Sequence, residues 1–282
     1  MILIADSGST KTTWRLLSES NAPTTEIETQ GINPNYLTSE AVSEILEKEL
    51  RPLLPDCNGK IQKVYFYGSG CSTVPKCERI RQSLLAITPN AEVIVAHDLL
   101  GAAISLCGVD TGIACILGTG SNSCFYDGKK VQKTILSLGY LLGDEGGGVH
   151  IGKKILYHYL KNHYPEDLKT AFETKYKQSP AELISAMYAS QNTASFLADF
   201  ARFAGENKMH PFIQNLIKNC FRKYFTEQVL IYEEASLYPI GFVGSIAFVF
   251  QNELKAVAEE YSLCIGKIIK NPIEGLEEFH KK

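Results

Sequence analysis

The run Ile2-Leu-Ile-Ala-Asp-Ser-Gly-Ser-Thr10 comes back, in changed letters, as Ala114-Cys-Ile-Leu-Gly-Thr-Gly-Ser-Asn122. Each copy is an unbroken apolar stretch of strand length, then a turn holding Gly-Ser beside other polar residues, then a second strand. An apolar run without alternation fits a strand buried on both faces. A short Gly/Ser/Thr turn leading straight into another strand reads as a hairpin. The two copies lie about half a chain apart. Either the chain is built from two lobes that open on the same hairpin, or two short strands resemble each other by chance. The strands alone leave both readings open.

Around these hairpins the spacing predicts an α/β protein. In the first half, Ser39–Leu50 has helical spacing with Ser39 as the N-cap. Val64–Gly68 is a strand, Glu78–Ile87 a helix, Glu92–Ala96 a strand and Leu99–Cys107 a helix. The pattern then restarts with strand Gly112–Leu117, turn Gly118–Asn122, strand Ser123–Tyr126, an Asp127-Gly128 turn and strand Val131–Leu136. Gly139–Gly148 is a Gly-rich loop. From Val149 to about Leu237 the reading is almost wholly helical. Strand Pro239–Val243 and one long helix, Ser245–Tyr261, follow. The restart divides the chain into lobes 1–112 and 113–282.

Composition excludes several classes. The 282 residues are 45% hydrophobic and 21% charged, which suits a chain with a sizeable core. Net charge is −3, and Lys+Arg against Asp+Glu runs 9 to 13 in residues 1–112 and 19 to 18 in 113–282, so neither half carries a nucleic-acid footprint. No stretch approaches the roughly 18 apolar residues of a membrane span. The N-terminal residues lack the basic start and cleavage site of a signal peptide, and the expected location is the cytoplasm. The eight cysteines are scattered, with no CxxC, and are read as reduced core thiols. The six histidines show no zinc spacing.

Five segments carry candidate chemistry. In Asp6-Ser-Gly-Ser-Thr-Lys11, the hairpin tip brings backbone N–H groups and hydroxyls to one point, as phosphate oxygens require. Gly8 lets the backbone come close; Ser9, Thr10 and Lys11 complete the tip; Asp6 at the strand end can hold Mg²⁺ directly or through water. Any hairpin turn would also favour these residues. The same argument covers Gly118, Thr119, Gly120, Ser121 and Asn122. Neither turn is a P-loop or a dinucleotide fingerprint, because both lead into strands. Asp98 ends a strand at the start of a helix, where it can cap the helix or accept a proton from a substrate hydroxyl. Gly143-Asp-Glu-Gly-Gly-Gly148 is entropically costly to order and could wrap a polyol, or be a mobile surface loop. Gly241-Phe-Val-Gly-Ser-Ile-Ala247 is a strand–Gly–helix junction with room at Gly244 and Ser245 for a flat ring or a phosphate.

Taken in this order, the segments resemble the actin-like ATPase superfamily of sugar kinases and heat-shock ATPases. Within it they are most similar to the N-acetylglucosamine kinase and BadF/BadG/BcrA/BcrD-type ATPase family. The resemblance covers nearly the whole chain. It implies two ribonuclease H-like lobes around a nucleotide cleft, with ATP and Mg²⁺ as cofactors. It makes 6–11 and 118–122 the two phosphate motifs and 241–247 the adenosine motif, and puts Asp98 where the family has its catalytic base. Asn35, in Gly31-Ile-Asn-Pro-Asn-Tyr36, matches a sugar-contacting asparagine, and Asp144 an acid that helps hold the sugar. Thr119 and Gly120 fall on the sugar side of the second turn. The region 67–72 matches the family only loosely, and 155–237 carries no transferable motif; specificity and homodimer contacts would vary there.

The resemblance implies ATP-dependent phosphorylation of an amino sugar, N-acetylglucosamine first, with glucosamine or another hexose as alternatives. A different class is also open: an ATPase module that switches a partner protein, as the BadF-type activators do. Those carry a cysteine-ligated iron–sulphur cluster, and here only Cys71 lies near a Gly-rich loop. A nucleotide-binding module without catalysis is the third reading, against which Asp6, Asp98 and Asn122 stand.

Overall fold

A computed structural model describes residues 1–8, 10–18, 24–54 and 60–281. Ser9 of the first turn and Cys57 lie outside the described residues. The chain forms two compact units. The first comprises Met1–Asp110, Gly128–Lys130 and Asn271–Lys282; the second comprises Thr111–Asp127 and Val131–Lys270.

The first unit is built on five strands: β1 (Ile2–Ser7), β2 (Lys11–Leu17), β3 (Thr25–Gln30), β4 (Lys63–Gly68) and β5 (Glu92–His97), in the order β3-β2-β1-β4-β5. β1 pairs antiparallel with β2 and parallel with β4; β2–β3 is antiparallel and β4–β5 parallel. The opening hairpin is thus present, its strands reaching one or two residues further into the turn than the apolar letters indicate. Leu3, Ala5, Trp14, Val64 and Phe66 form the middle of the core.

Helix α1 (Ser39–Ile45) is capped by Thr38, whose hydroxyl accepts from Ala41 N–H at 3.3 Å, so Ser39 is the first helical residue and not the cap. The helix then loosens into a wider turn over Leu46–Leu50. α2 (Val74–Ile87) starts four residues before the apolar spacing shows, because Pro75 suits the first turn. α3 (Asp98–Cys107) is buried along Leu99, Gly101, Ala102, Ala103, Ile104, Ser105 and Leu106. Its small residues let neighbours approach: a Cβ on Gly101 would lie 2.7 Å from that of Tyr67.

The second unit holds β6 (Gly112–Leu117), β7 (Ser121–Tyr126), β8 (Val131–Thr134), β9 (Ile240–Val243) and β10 (Ile265–Ile269), ordered β10-β9-β6-β7-β8. β6–β7 and β7–β8 are antiparallel, β6–β9 and β9–β10 parallel. Strand for strand this is the topology and direction pattern of the first sheet. Chance likeness of two short strands does not produce two five-stranded sheets of identical order, so the duplication reading stands.

Between β8 and β9 run α4 (Gly139–Leu142), α5 (Gly148–Leu160), α6 (Glu166–Tyr176), α7 (Pro180–Ala189), α8 (Thr193–Glu206) and α9 (Pro211–Tyr224). They bury an aromatic-rich core including Phe172, Phe203, Phe221 and Phe225, each worth about 1.5–3 kcal/mol of apolar transfer. α5 and α8 touch backbone to backbone, since a Cβ on Gly152 would fall 1.8 Å from Leu197 O. The expected long helix 245–261 is two helices, α10 (Ser245–Val249) and α11 (Gln251–Glu260), broken at Phe250, whose φ of −108° and ψ of 31° leave the helical region. Phe250 is buried, and the break is what turns its ring into the core.

β10 leads into α12 (Ile273–His280), which returns to the first unit and packs on α3, β1 and β2. A Cβ on Gly275 would meet Ser105 Oγ at 2.4 Å. Glu277 pairs with Arg15 and accepts from Thr24 Oγ1 at 2.7 Å. His280 stacks on Tyr65 with ring centroids 3.8 Å apart, and its Nε2 lies 2.9 Å from Tyr67 Oη. Burial, with the charge of Lys63, pushes the imidazole down from 6.5 to about 4. A base with a depressed folded-state pKa stabilises fully above 6.5 and loses that contribution as pH falls through about 4. Unscreened, the shift is worth about 3 kcal/mol; partial exposure reduces it to about 1–2 kcal/mol, or roughly 2–6 °C in Tm. His280→Phe keeps a ring on Tyr65 and cannot titrate. Its Tm is expected to fall less than that of the wild type between pH 6.5 and pH 4. Equal slopes for both proteins would place the acid sensitivity elsewhere.

No helix among the described residues is long and apolar enough to cross a membrane. The seven described cysteines are thiols and not disulfides.

Candidate active site

In the first unit, three loops leave the carboxyl edge of the parallel strands β1, β4 and β5, the edge where open α/β sheets bind ligands. Asp6 sits at the end of β1 and Asp98 directly after β5. Burial first, then the negative charge of Asp98, pushes the Asp6 carboxyl up to about 7, with Lys11 pulling the other way. At neutral pH such a carboxyl gains from an arriving cation, which would restore its charged form. Mg²⁺ keeps several waters and needs only one or two protein carboxylates. No cluster of three or more His, Cys, Asp and Glu able to hold a metal occurs among the described residues. Asp6 therefore fits a water-rich Mg²⁺ and not a closed protein cage.

The first hairpin tip is closed by Gly8 N–H donating to Lys11 O at 3.0 Å. Gly8 and Thr10 are exposed. The Lys11 ammonium extends along the sheet to Glu28 on β3, at 2.5 Å. Ser7, which sequence reasoning passed over, ties the tip down: its Oγ lies 2.7 Å from Thr12 Oγ1 and bonds both the N–H and C=O of Ile32 at 3.1 Å.

Asn35 is exposed and held from beneath. The buried Asn33 accepts from Asn35 N–H through Oδ1 at 2.9 Å and donates through Nδ2 to Ser69 Oγ at 3.1 Å. Gly70, at φ +80°, passes so close that a Cβ would lie 2.2 Å from Asn33 Oδ1. The Asn35 loop and the loop after β4 are thus one assembly organised by Asn33. The Asn-Pro-Asn letters could have indicated this, since asparagine before proline favours side-chain-to-backbone turns.

In the second unit the structure brings the turn Gly118–Asn122 and the loop Gly143–Gly148 together. Gly148 N–H donates to Gly118 O at 2.8 Å and Val149 N–H to Thr119 O at 2.9 Å. Ser121 N–H donates to Asp144 Oδ1 at 3.1 Å. The amides of Thr119 and Gly120 donate to no protein group among the described residues, and the buried Ser121 Oγ has no partner there either. An orphaned hydroxyl beside two open amides fits phosphate oxygens. The Asn122 side chain is engaged locally instead, its Oδ1 turning back to accept from Ser123 N–H at 2.9 Å.

Asp144 adopts a left-handed φ of 58°, which costs a non-glycine residue about 1 kcal/mol and is held by the Ser121 bond. Burial raises its carboxyl above the ordinary range. His150, also unflagged by the sequence, fastens the loop from the other side. Its Nδ1 accepts from Gly146 N–H at 3.0 Å, and burial pushes the imidazole down to about 4, so it stays neutral as that bond requires.

Gly244 has φ +127°, and a Cβ there would lie 2.2 Å from Leu117 O. Only glycine fits, and it seats the 241–247 junction directly against the start of the 118–122 turn. Ser245 is exposed at the head of α10. The three motifs of the second unit therefore share one edge of its sheet.

A solved structure from Porphyromonas gingivalis, proposed to be an N-acetylglucosamine kinase, is 38% identical over 99% of this chain and 98% of its own, with a TM-score of 0.94. The chain belongs to the N-acetylglucosamine kinase family of actin-like, ATP-dependent sugar kinases. A second proposed N-acetylglucosamine kinase, from Chromobacterium violaceum, is 16% identical with a TM-score of 0.73, over 99% of this chain and 98% of its own. A ROK-family glucokinase from Streptomyces griseus, solved with glucose and AMPPNP, is 12% identical with a TM-score of 0.59 at the same coverage. These last two show that the sugar-kinase fold is shared. No protein-family model matches the chain, and no curated protein matches it.

Proposed function

We propose that this sugar kinase transfers the γ-phosphoryl group of ATP to a hydroxyl of N-acetylglucosamine. The likeness to the proposed N-acetylglucosamine kinase of P. gingivalis, spanning 99% of the chain at 38% identity, is the observation that carries the substrate. Asp98 accepts the proton of the attacking hydroxyl. The oxygen forms its bond to the γ-phosphorus as the bond to the ADP oxygen breaks, and ADP leaves with the electron pair. The amides of Thr119 and Gly120 and the Ser121 hydroxyl steady phosphate oxygens in the second unit, with Gly244 and Ser245 serving the adenosine. The tip Gly8–Lys11 serves phosphate in the first unit. Bound Mg²⁺, held by Asp6 through water, would neutralise the phosphate charge. Asn35 and Asp144 pair with sugar hydroxyls, Asp144 while also bracing Ser121.

A panel of N-acetylglucosamine, glucosamine, N-acetylmannosamine and hexoses, assayed with Mg-ATP for ADP release, tests the reading. N-Acetylglucosamine is expected to give the highest kcat/KM. ADP release that no sugar stimulates would return the partner-switching ATPase reading. Asn35→Ala removes one exposed sugar partner and is expected to raise the sugar KM about 10-fold, the worth of one hydrogen bond, with the ATP KM unchanged. A rise in the ATP KM instead would move Asn35 out of the sugar subsite.

A further inference from the structure

His97 ends β5 and caps α3, and its Nδ1 faces two neighbours at once. Leu99 N–H lies 3.2 Å away, directed at the ring nitrogen as an N-cap bond would be. Asp98 Oδ1 lies 2.7 Å from the same atom. One nitrogen cannot serve both. To accept from Leu99 it must show a lone pair, which would then face a carboxylate oxygen at close range. That arrangement would leave Asp98 Oδ1, which is buried, without a hydrogen-bond partner among the described residues. A nitrogen–oxygen separation of 2.7 Å is the length of a charge-assisted bond with a proton in it, whereas 3.2 Å is long even for a neutral one. The proton therefore belongs on Nδ1, directed at Asp98.

We infer that His97 is a positioning residue for Asp98: its Nδ1–H fixes Oδ1 and leaves Oδ2 as the oxygen that receives the sugar proton. This rests on the reading of Asp98 as the base. The surroundings agree. Burial pulls the imidazole down, but the hydrogen bond and charge of Asp98 outweigh it and leave His97 raised above its ordinary value. Among the described residues, the charge of Asp98 also raises the Asp6 carboxyl on β1 and the Cys71 thiol in the loop after β4, and neither of these is a cationic donor.

A cap alone and a positioning donor differ in what may replace the histidine. Asp and Asn are equally good N-caps. Asn also carries an N–H₂ that can donate to Asp98, whereas Asp offers only oxygens and adds a like charge. The experiment compares His97→Asn, His97→Asp and His97→Ala in the full chain, with Tm, kcat and both KM values measured for each. His97→Asn is expected to keep kcat within about 3-fold of wild type. His97→Asp and His97→Ala are expected to lose about 10-fold or more in kcat, part of the roughly 10²–10⁴ that a positioned base supplies, with the ATP KM unchanged. If His97→Asp turns over within about 2-fold of wild type, or if the kcat values merely follow Tm, His97 is only a cap and the inference fails. Asp98→Asn in parallel separates the two layers: a fully active Asp98→Asn overturns the base itself, whatever the His97 variants do.

Discussion

Asp98→Asn is expected to lower kcat for sugar phosphorylation by about 10²–10⁴-fold, the usual worth of a general base, while both substrates still bind. The substitution is close to isosteric. Position 98 is the first residue of α3 and not its N-cap position, so the substitution removes no capping residue. Asp98 is the first residue inside the helix, where its charge adds only a few tenths of a kcal/mol through the helix dipole. A Tm within about 2 °C of wild type should therefore accompany the loss of turnover. Sugar-dependent ADP release measured on both proteins decides the matter. Turnover near the wild-type rate would remove Asp98 from the chemistry.

Gly120→Val should be nearly as severe, for a reason that letters alone do not show. At the sequence level the concern is a branched side chain where phosphate oxygens approach. In the structure the obstacle is already there: a Cβ at 120 falls 2.7 Å from Asp144 Oδ1 and 2.9 Å from its Cγ. The carboxylate must move, which breaks its bond to Ser121 N–H, and Asp144 is then left strained at a positive φ without its brace. One substitution thus disturbs the proposed phosphate turn and the proposed sugar-binding acid together. ATP affinity by titration calorimetry is expected to fall at least about 30-fold, or about 2 kcal/mol, and the sugar KM to rise with it. Unchanged ATP affinity would take residues 118–122 out of the nucleotide site. Asp144→Asn, which keeps an acceptor for Ser121, separates the two effects: sugar affinity alone should suffer.

The hairpins, the duplicated start and the Gly-rich loops were legible because each depends on residue types with few other uses. Four apolar residues in a row followed by Gly-Ser leave little but a buried strand and a tight turn. β3 escaped because Thr25–Gln30 offers only Ile27 as a large apolar residue; it is an edge strand whose remaining letters are Thr, Glu and Gln. The wide turns at Leu46–Leu50 and Phe225–Val229 have no letter signature, being a local compromise with packing. Thr38 and Ser39 are both good caps, and only the backbone angle at Thr38 decides between them. The polar organisers Asn33, His97 and His150 were missed for a common reason. A single polar residue has many ordinary roles, and which one it takes depends on partners brought from elsewhere in the chain.

The return of α12 to the first unit makes that unit discontinuous in sequence, interrupted by the whole of the second. A ribosome releases the pieces in order, so β1 to β5 emerge long before the helix that covers Tyr65 and Tyr67. Until residues 271–281 are made, the face of α3 around Ser105 and the Arg15 guanidinium lack Glu277, Gly275 and His280. The second unit, nearly continuous, can complete itself first. The earlier-made half is thus expected to finish later, and stalled or truncated chains should present it to chaperones and proteases as an open sheet.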